Sequence, residues 1–217
     1  MKRSASSSLR SYHHGDLRAS LLKAVIDVAR SSGVSSVTMR AVAAKTGVSE
    51  AAAYHHFKNK ADLLAAAASL AFDDFTAALD NGVQAELEAG GDPALGLVDG
   101  YLAFALSEPG EYQLIFGRHI VESGLDTRDD VRSAGAASIG IALSAIQRSI
   151  TSRAIPETAE EVFPMLRAIL HGVVSLVQEN ELEVDMSMER ATELARKTVR
   201  ALLDGLAAQQ RPPSPAS

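Results

Sequence analysis

The 217-residue sequence has no cysteine and no tryptophan, and only four tyrosines and six phenylalanines. Without thiols, neither a disulfide nor a thiolate-bound metal can form, so cysteine usage carries no signature of a redox compartment. Apolar runs are short, and none approaches the roughly 20 residues that a helix needs to cross a bilayer, so no membrane partner is expected. The serine-rich start lacks the apolar core of an export signal, which makes the cytoplasm the expected location. Signatures of catalysis are absent as well: there is no phosphate-cradling GxxxxGKS or GxxxxGKT, no HExxH and no GxGxxG. Ala136-x-Ser138-x-Gly140 has some of the letters of a nucleophile elbow, but it lies in a helical pattern with no strand before it, and an elbow is a strand-to-helix turn. The pairs His13-His14 and His55-His56 make a poor metal site, because adjacent residues on a helix point apart and no acidic or sulfur ligand completes a set. The chain is therefore expected to be no enzyme and to use no cofactor.

What the chain does contain is concentrated between Thr38 and Lys60, TMRAVAAKTGVSEAAAYHHFKNK. Thr38 is a helix N-cap residue, Met39, Val42 and Ala43 recur at helical spacing, and Gly47 stands where a short helix needs a left-handed stop. Val48 is apolar and suits the inside of the turn. Ser49 caps a second helix, Glu50 to Phe57, whose alanines allow a close backbone approach to a groove. Asn59 caps a third, with Asp62 at the capping-box position and Lys60 in the first turn, where it can grip a phosphate. Two short helices pinched around a glycine turn spell a helix-turn-helix, although the same turn occurs in helical proteins that never meet nucleic acid.

Charge separates these alternatives. Residues 1–60 carry ten Lys and Arg against three Asp and Glu, a net of +7, whereas residues 61–217 carry eleven against twenty-four, a net of −13. An overall pI near 5.5 conceals that asymmetry, which suits one end docking on phosphate while the rest stays soluble. Met1 to Ser11, with Lys2, Arg3 and Arg10 among its serines, reads either as a disordered tail or as a minor-groove arm.

The residues Leu17 to Gly33, Thr38-Met39-Arg40, Val42-Ala43, Thr46-Gly47-Val48-Ser49, Tyr54-x-His56-Phe57 and Lys58-Asn59-Lys60-x-x-Leu63-Leu64 resemble the tetracycline-repressor (TetR) family of bacterial transcriptional regulators. Tyr12-His13-His14-Gly15-Asp16-Leu17-Arg18, the run from Asp92-Pro93 to Phe116-Gly117, and His171-Gly172 resemble a subgroup whose His-Gly pair normally follows a tryptophan, which is missing here. The resemblance implies a homodimer that reads a palindromic double-stranded DNA operator with one helix per subunit, most often as a repressor. Carried over by position, Arg40, Ser49, Glu50, Ala51, Ala52, Tyr54 and His56 fall where relatives touch bases or backbone, and Thr38 and Lys60 where they touch phosphates. Arg40 offers a planar fork for guanine or phosphate; Tyr54 offers a hydroxyl for phosphate or a ring face for a thymine methyl. Glu50 suits either a cytosine contact or helix capping.

With 47% hydrophobic residues the chain can bury a substantial core, and its downstream periodicity is helical throughout, so the fold class is all-α with about nine helices. The expected domains are a helix-turn-helix unit over residues 12–60 and a larger effector-binding and dimerisation unit over 61–208, with loose tails at 1–11 and 209–217. A connector helix from the start of the second unit to about Glu88 buries Leu63, Leu64, Ala67, Leu70, Ala71 and Phe75. Later helices run from Asp92-Pro93 to Pro109-Gly110, from Glu111 to about Ile120, and from Thr127 to Arg153. The last two, Glu157 to Glu179 and Met188 to Ala207, place Val162, Leu166, Ile169, Leu170, Val173 and Val177, and then Ala191, Leu194, Ala195, Thr198, Leu202 and Leu206, on apolar stripes. Val174, Leu176, Val199 and Leu203 lie off those stripes, which suits a second buried face against a partner subunit and a four-helix bundle between subunits. Tyr101, Phe104, Tyr112, Phe116, His119, Met165 and His171 have the makeup of a small-molecule pocket, and equally that of packed core. An effector-independent architectural DNA-binding protein is the competing reading of the amino-terminal signals. The roughly 150 residues beyond the DNA module, more than dimerisation needs, favour a ligand-responsive regulator.

Overall fold

The computed structural model describes residues 17–178 and 186–209. Both tails, the basic residues Lys2, Arg3 and Arg10, the His13-His14 pair and the Arg211 to Pro215 stretch lie outside the described residues. Within them the chain forms ten α-helices and two 3-10 turns, with no strand.

The amino-terminal head holds α1 (Leu17–Ser32), α2 (Met39–Thr46) and α3 (Glu50–His56). Leu21, Leu22, Val25 and Val28 of α1 recur at three and four, and they meet Val37, Met39, Val42, Ala43, Ala53 and Phe57 in one small core. From Asn59 the chain enters α4 (Lys60–Glu88), which leaves the head and becomes a wall of the body. Asn59 Oδ1 accepts from the Asp62 amide at 2.8 Å. The Asp62 carboxylate does not return the expected capping-box bond; it accepts from Arg128 at 3.0 Å, because a cation from across the molecule competes better than a neutral amide. Leu70, expected in the buried stripe of α4, is instead 39% exposed.

The body is organised around α5 (Pro93–Ser107), capped by Asp92 and preset by Pro93 at its first turn. Its one charged side chain is Asp99, and an almost uncharged helix can be buried on most sides: Ala94, Leu95, Leu97, Val98, Leu102, Phe104 and Ala105 are all in the core. It lies against α4 closely. A Cβ at Gly96 would fall 2.5 Å from the Gly82 carbonyl oxygen, and one at Gly100 would fall 2.3 Å from that of Ala78, so only glycine permits this backbone contact.

The segment expected to be one helix, Glu111 to Ile120, is two: α6 (Pro109–Phe116) and α7 (Arg118–Glu122). Gly117 is extended (φ −70°, ψ 156°) and separates them, which raises the helix count from nine to ten. A 3-10 turn, Leu125–Thr127, precedes α8 (Asp129–Ser152), so the long helix begins two residues later than expected. The final pair is α9 (Ala159–Gln178) and α10 (Met188–Ala208). On α9 the core takes Val162, Leu166, Leu170, Val173 and Val174. On α10 it takes Ala191, Ala195, Val199, Leu203 and Leu206, rotated from the expected stripe: Leu194 and Thr198 face outward and Leu202 is half-buried. The inward face is the row Ala191, Ala195, Val199 and Leu203 at every fourth residue, and on its flank the Arg196 guanidinium reaches Glu86 of α4 and Asp99 of α5.

Candidate nucleic-acid interface and effector cavity

The turn between α2 and α3 follows from three local contacts. Thr38 Oγ1 accepts from the Ala41 amide at 3.0 Å and starts α2. Gly47 (φ 72°, ψ 24°) ends it in the left-handed region, with its N–H donating to Ala44 O and the Val48 N–H donating to Ala43 O at 3.0 Å. Ser49 Oγ then accepts from the Ala52 amide at 3.2 Å and starts α3. Ala53 and Phe57 turn inward, at 0% and 4% exposure, and Arg18 lies 5.1 Å over the Phe57 ring.

The opposite face of α3 is open. Ser49, Glu50, Ala51, Tyr54, His55 and His56 are exposed and Ala52 is half-buried, and Thr38, Arg40 and Lys60 are exposed as well. Tyr54 is 49% exposed. Among the described residues Arg40, Lys58 and Lys60 form no ion pair, while the acid nearest this head's core, Asp27, is occupied by Arg30 and Lys45. Glu50 caps nothing with its side chain, since Ser49 supplies the cap. His55 faces solvent. The surface thus combines unpaired cations with a helix thin enough, through its alanines, to enter a groove about 12 Å wide.

A second site lies in the body. A cavity of 430 Å³, open to solvent on one side, is lined by α4, α5, α6, α7, α8 and α9, with Phe72, Phe75, Leu97, Ile115, Ile146, Phe163 and Leu170 among its apolar walls. Of the seven residues expected in a pocket, Tyr101 and Phe116 line this cavity. Phe116 is the hub of an aromatic cluster, 5.2 Å from Phe75, 5.1 Å from Tyr112 and stacked at 22° on Tyr101. Phe104 and Tyr112 are buried beside that cluster, outside the lining. Tyr112 nonetheless joins the wall to the surface: its hydroxyl is 2.9 Å from that of Tyr101 and 2.5 Å from Nδ1 of His171. This chain can run in either direction, depending on the imidazole tautomer. Burial raises the pKa of both phenols, so both keep their protons, and burial with Arg167 lowers that of His171, so its ring is neutral at pH 7.

Met165 is 41% exposed on the outer face of α9, away from the cavity. His119 lies on α7 with its Nε2 buried and unpartnered; burial lowers its pKa. Residues of the lining not singled out from sequence include Phe72, Phe163, Arg132 and Arg167. Phe72 lies three residues before Phe75 and Phe163 three before Leu166, both legible as helical repeats, but nothing local says which repeat faces a void.

Between head and body stands Glu111 of α6, 8% exposed, with Oε2 unpartnered. Burial, reinforced by Asp74 and Glu108 and opposed by Arg30, pushes its pKa up to about 7. One residue earlier, a Cβ at Gly110 would meet the Arg30 backbone at 2.9 Å, so α6 lies directly on the end of α1.

Two family models match this architecture. Residues 21–67 match the model described as bacterial regulatory proteins of the tetR family, and residues 94–202, half of the chain, match the tetracyclin repressor-like C-terminal domain. The chain belongs to the tetracycline-repressor family. As a TetR-family protein it is a DNA-binding transcription regulator with a helix-turn-helix head. The C-terminal match is to the repressor-like domain in general and does not confirm the subgroup suggested by His171-Gly172. Among solved structures, a protein of unknown function from Rhodococcus sp. RHA1 is similar over 91% of this chain and 99% of that one, with 27% identity and a TM-score of 0.75. A TetR family transcription regulator from Marinobacter aquaeolei VT8 shares the fold at 19% identity, covering 83% of this chain and 93% of that one, with a TM-score of 0.58. The multidrug binding protein EbrR, complexed with imidazole, shares it at 20% identity, covering 92% and 97%, with a TM-score of 0.54. No curated protein matches the sequence. No helix among the described residues is long and apolar enough to cross a membrane.

Proposed function

We propose that this TetR-family regulator binds a palindromic operator as a homodimer, inserts α3 of each subunit into successive major grooves, and is released by a small molecule in the 430 Å³ cavity. The observation that carries the reading is the open face of α3 in a head whose exposed cations Arg40, Lys58 and Lys60 are unpaired, on a protein whose net charge is −6. Thr38 and Lys60 hold phosphates. Arg40, Tyr54 and His56 reach bases or backbone, Ala51 and Ala52 meet thymine methyls, and Ser49 adds a hydroxyl at the helix start. Glu50 accepts from a cytosine amine. The functional division of the chain falls at Lys60, with the operator reader before it and the effector and dimer unit after it.

Dimerisation uses the outward faces of α9 and α10. Met165, Ala168 and Gly172 on one helix and Leu194, Ala201 and Gly205 on the other are exposed, with Ile169, Leu176 and Leu202 half-buried along the same faces. A Cβ at Gly172 or Gly205 would meet nothing within 4 Å, so both helices present smooth ground for close packing by a second copy. A ligand that favours a tilted α4 separates the reading helices, and by linkage DNA must weaken that ligand's binding by the same factor.

Selection of bound fragments from random duplexes tests the reading. A two-fold symmetric consensus is expected, and an absence of any preference at physiological salt overturns it. Against the consensus site, Lys60→Ala is expected to weaken all sequences alike and reduce the salt slope by about one charge, whereas Arg40→Ala relaxes discrimination at one position by about 1–3 kcal/mol.

A further inference from the structure

An effector role for the cavity, on which this inference rests, leaves open the kind of molecule that enters. The charged groups of the wall narrow it. Three residues bring formal charge to the lining: Arg132 on α8, Arg167 on α9 and Asp126 in the turn before α8, a net of +1.

Three arginines of the body act as cross-links, and two others line the cavity. Arg128, Arg153 and Arg196 each meet two carboxylates, respectively those of Asp62 and Asp130, Asp92 and Asp204, and Glu86 and Asp99, and each joins separate helices. Arg132 and Arg167 form no ion pair among the described residues, in a chain with 27 acidic side chains available. Arg118, Arg148 and Arg200 are unpaired as well among the described residues, but Arg132 and Arg167 are the arginines that line the cavity, at its solvent-exposed side, where an anionic group of an occupant can reach both. Arg167 is also aimed. Its guanidinium lies 5.6 Å from the centroid of Phe116, itself a wall residue, and a cation held over a ring face keeps its in-plane N–H groups free to donate.

The remainder of the lining is apolar and rich in ring faces and edges: Phe72 and Phe116 meet edge-to-face at 86°, and Phe163 lies on the same cavity. Such walls accept a flat ring body, with the hydroxyls of Tyr101 and Ser138 as their neutral polar groups. We propose that the cavity takes an apolar, ring-bearing molecule with a single anionic group, the anion resting on Arg167 and Arg132 and the body among the phenylalanines. Asp126 sharpens this: it repels a second anionic group and leaves room for only one.

Two fluorescent probes that share one body test it: 1-anilinonaphthalene-8-sulfonate, which is anionic, and N-phenyl-1-naphthylamine, which lacks the sulfonate. In titrations of the full chain the sulfonate is expected to bind about tenfold more tightly than the neutral dye. Arg167→Gln should remove most of that preference, Arg132→Gln part of it, and Arg167→Lys should keep it, with the neutral dye nearly unaffected in all three. Ile139→Trp, which adds bulk at an exposed position of the lining, should weaken both dyes. Equal affinity of the two dyes for the wild type, or a preference that survives in the double variant Arg132→Gln/Arg167→Gln, overturns the anionic ligand while leaving an effector cavity in place. Failure of both dyes to bind, or unchanged binding of both by Ile139→Trp, overturns the effector cavity itself.

Discussion

The two ends of α4 are held in different ways. At the carboxyl end, Gly82 lets α5 approach to backbone contact, Arg196 of α10 reaches Glu86 on α4 and Asp99 on α5, and Arg153 ties Asp92 to Asp204. At the amino end, where α4 leaves the head, the cross-links are the Asp62–Arg128 pair and the seat of α6 on α1 at Gly110. The far end of α4 is therefore held by ion pairs and a backbone-to-backbone approach, whereas the end that meets the DNA-reading unit is held by the buried apolar side chains Leu63, Leu64, Ala65, Ala67 and Ala68 and by one ion pair. Apolar packing is non-directional and can slide where ion pairs and glycine-to-backbone contacts cannot, so a change in the body is expected to be taken up as a reorientation at the head end.

The largest expected effect comes from attacking the tight end. Gly100→Val would drive methyl groups into the Ala78 and Leu79 backbone, and we expect a loss of about 3 kcal/mol in urea unfolding, with both units losing cooperativity. A midpoint unchanged from the wild type would show that α4 and α5 can part at no cost, and the contrast between the two ends would disappear. Arg196→Met leaves Glu86 and Asp99 facing each other without a cation and should cost about 1–2 kcal/mol, recovered in part by adding Asp99→Asn.

Glu111 offers a gentler probe of the loose end. Its folded pKa, about 7, lies above the 4.5 of an ordinary glutamate, so between those values the folded chain holds a proton that the unfolded chain has released. Stability from this group is full below about pH 4.5 and is lost as the pH rises through 7. Glu111→Gln should therefore raise the melting temperature by about 2–4 °C at pH 8 and barely move it at pH 4.5. An equal shift at both pH values would mean that the carboxyl is solvated. The smallest stability effect belongs to Arg128→Ala, about 0.5 kcal/mol for a partly exposed pair. Its signature is expected elsewhere, in operator affinity that responds less to a cavity ligand, measured by gel shift with and without the bound probe.

The head was legible almost residue by residue, because caps and turns are local events. Thr38, Gly47, Ser49 and Asn59 each do what their side chains or lack of one dictate, within three or four residues of themselves. The body was legible as helices but less so as faces. Which of two apolar rows of α10 faces inward, and whether Leu70 of α4 is covered, are set by helices distant in sequence, as are the Arg196 partners 97 and 110 residues away. The cavity was half legible for the same reason. Tyr101 and Phe116 were recognisable as amphipathic or aromatic groups, but their joining to Phe72, Arg132 and Arg167 depends on α4, α8 and α9 converging. The near approach of α4 and α5 had a sequence mark in Gly82, Gly96 and Gly100, yet no rule of spacing says that glycines on two different helices will meet.

The hydroxyls of Tyr101 and Tyr112 and the imidazole of His171 form a three-membered queue in which each link has one proton to place. If an occupant of the cavity accepts from Tyr101, Tyr112 must turn its own hydrogen inward, and the imidazole is obliged to carry its hydrogen on Nδ1. An occupant that donates reverses every member of the queue. His171 is exposed on α9, so whether the guest donates or accepts a hydrogen bond at Tyr101 is legible from outside as the tautomer of one ring, with no helix having moved.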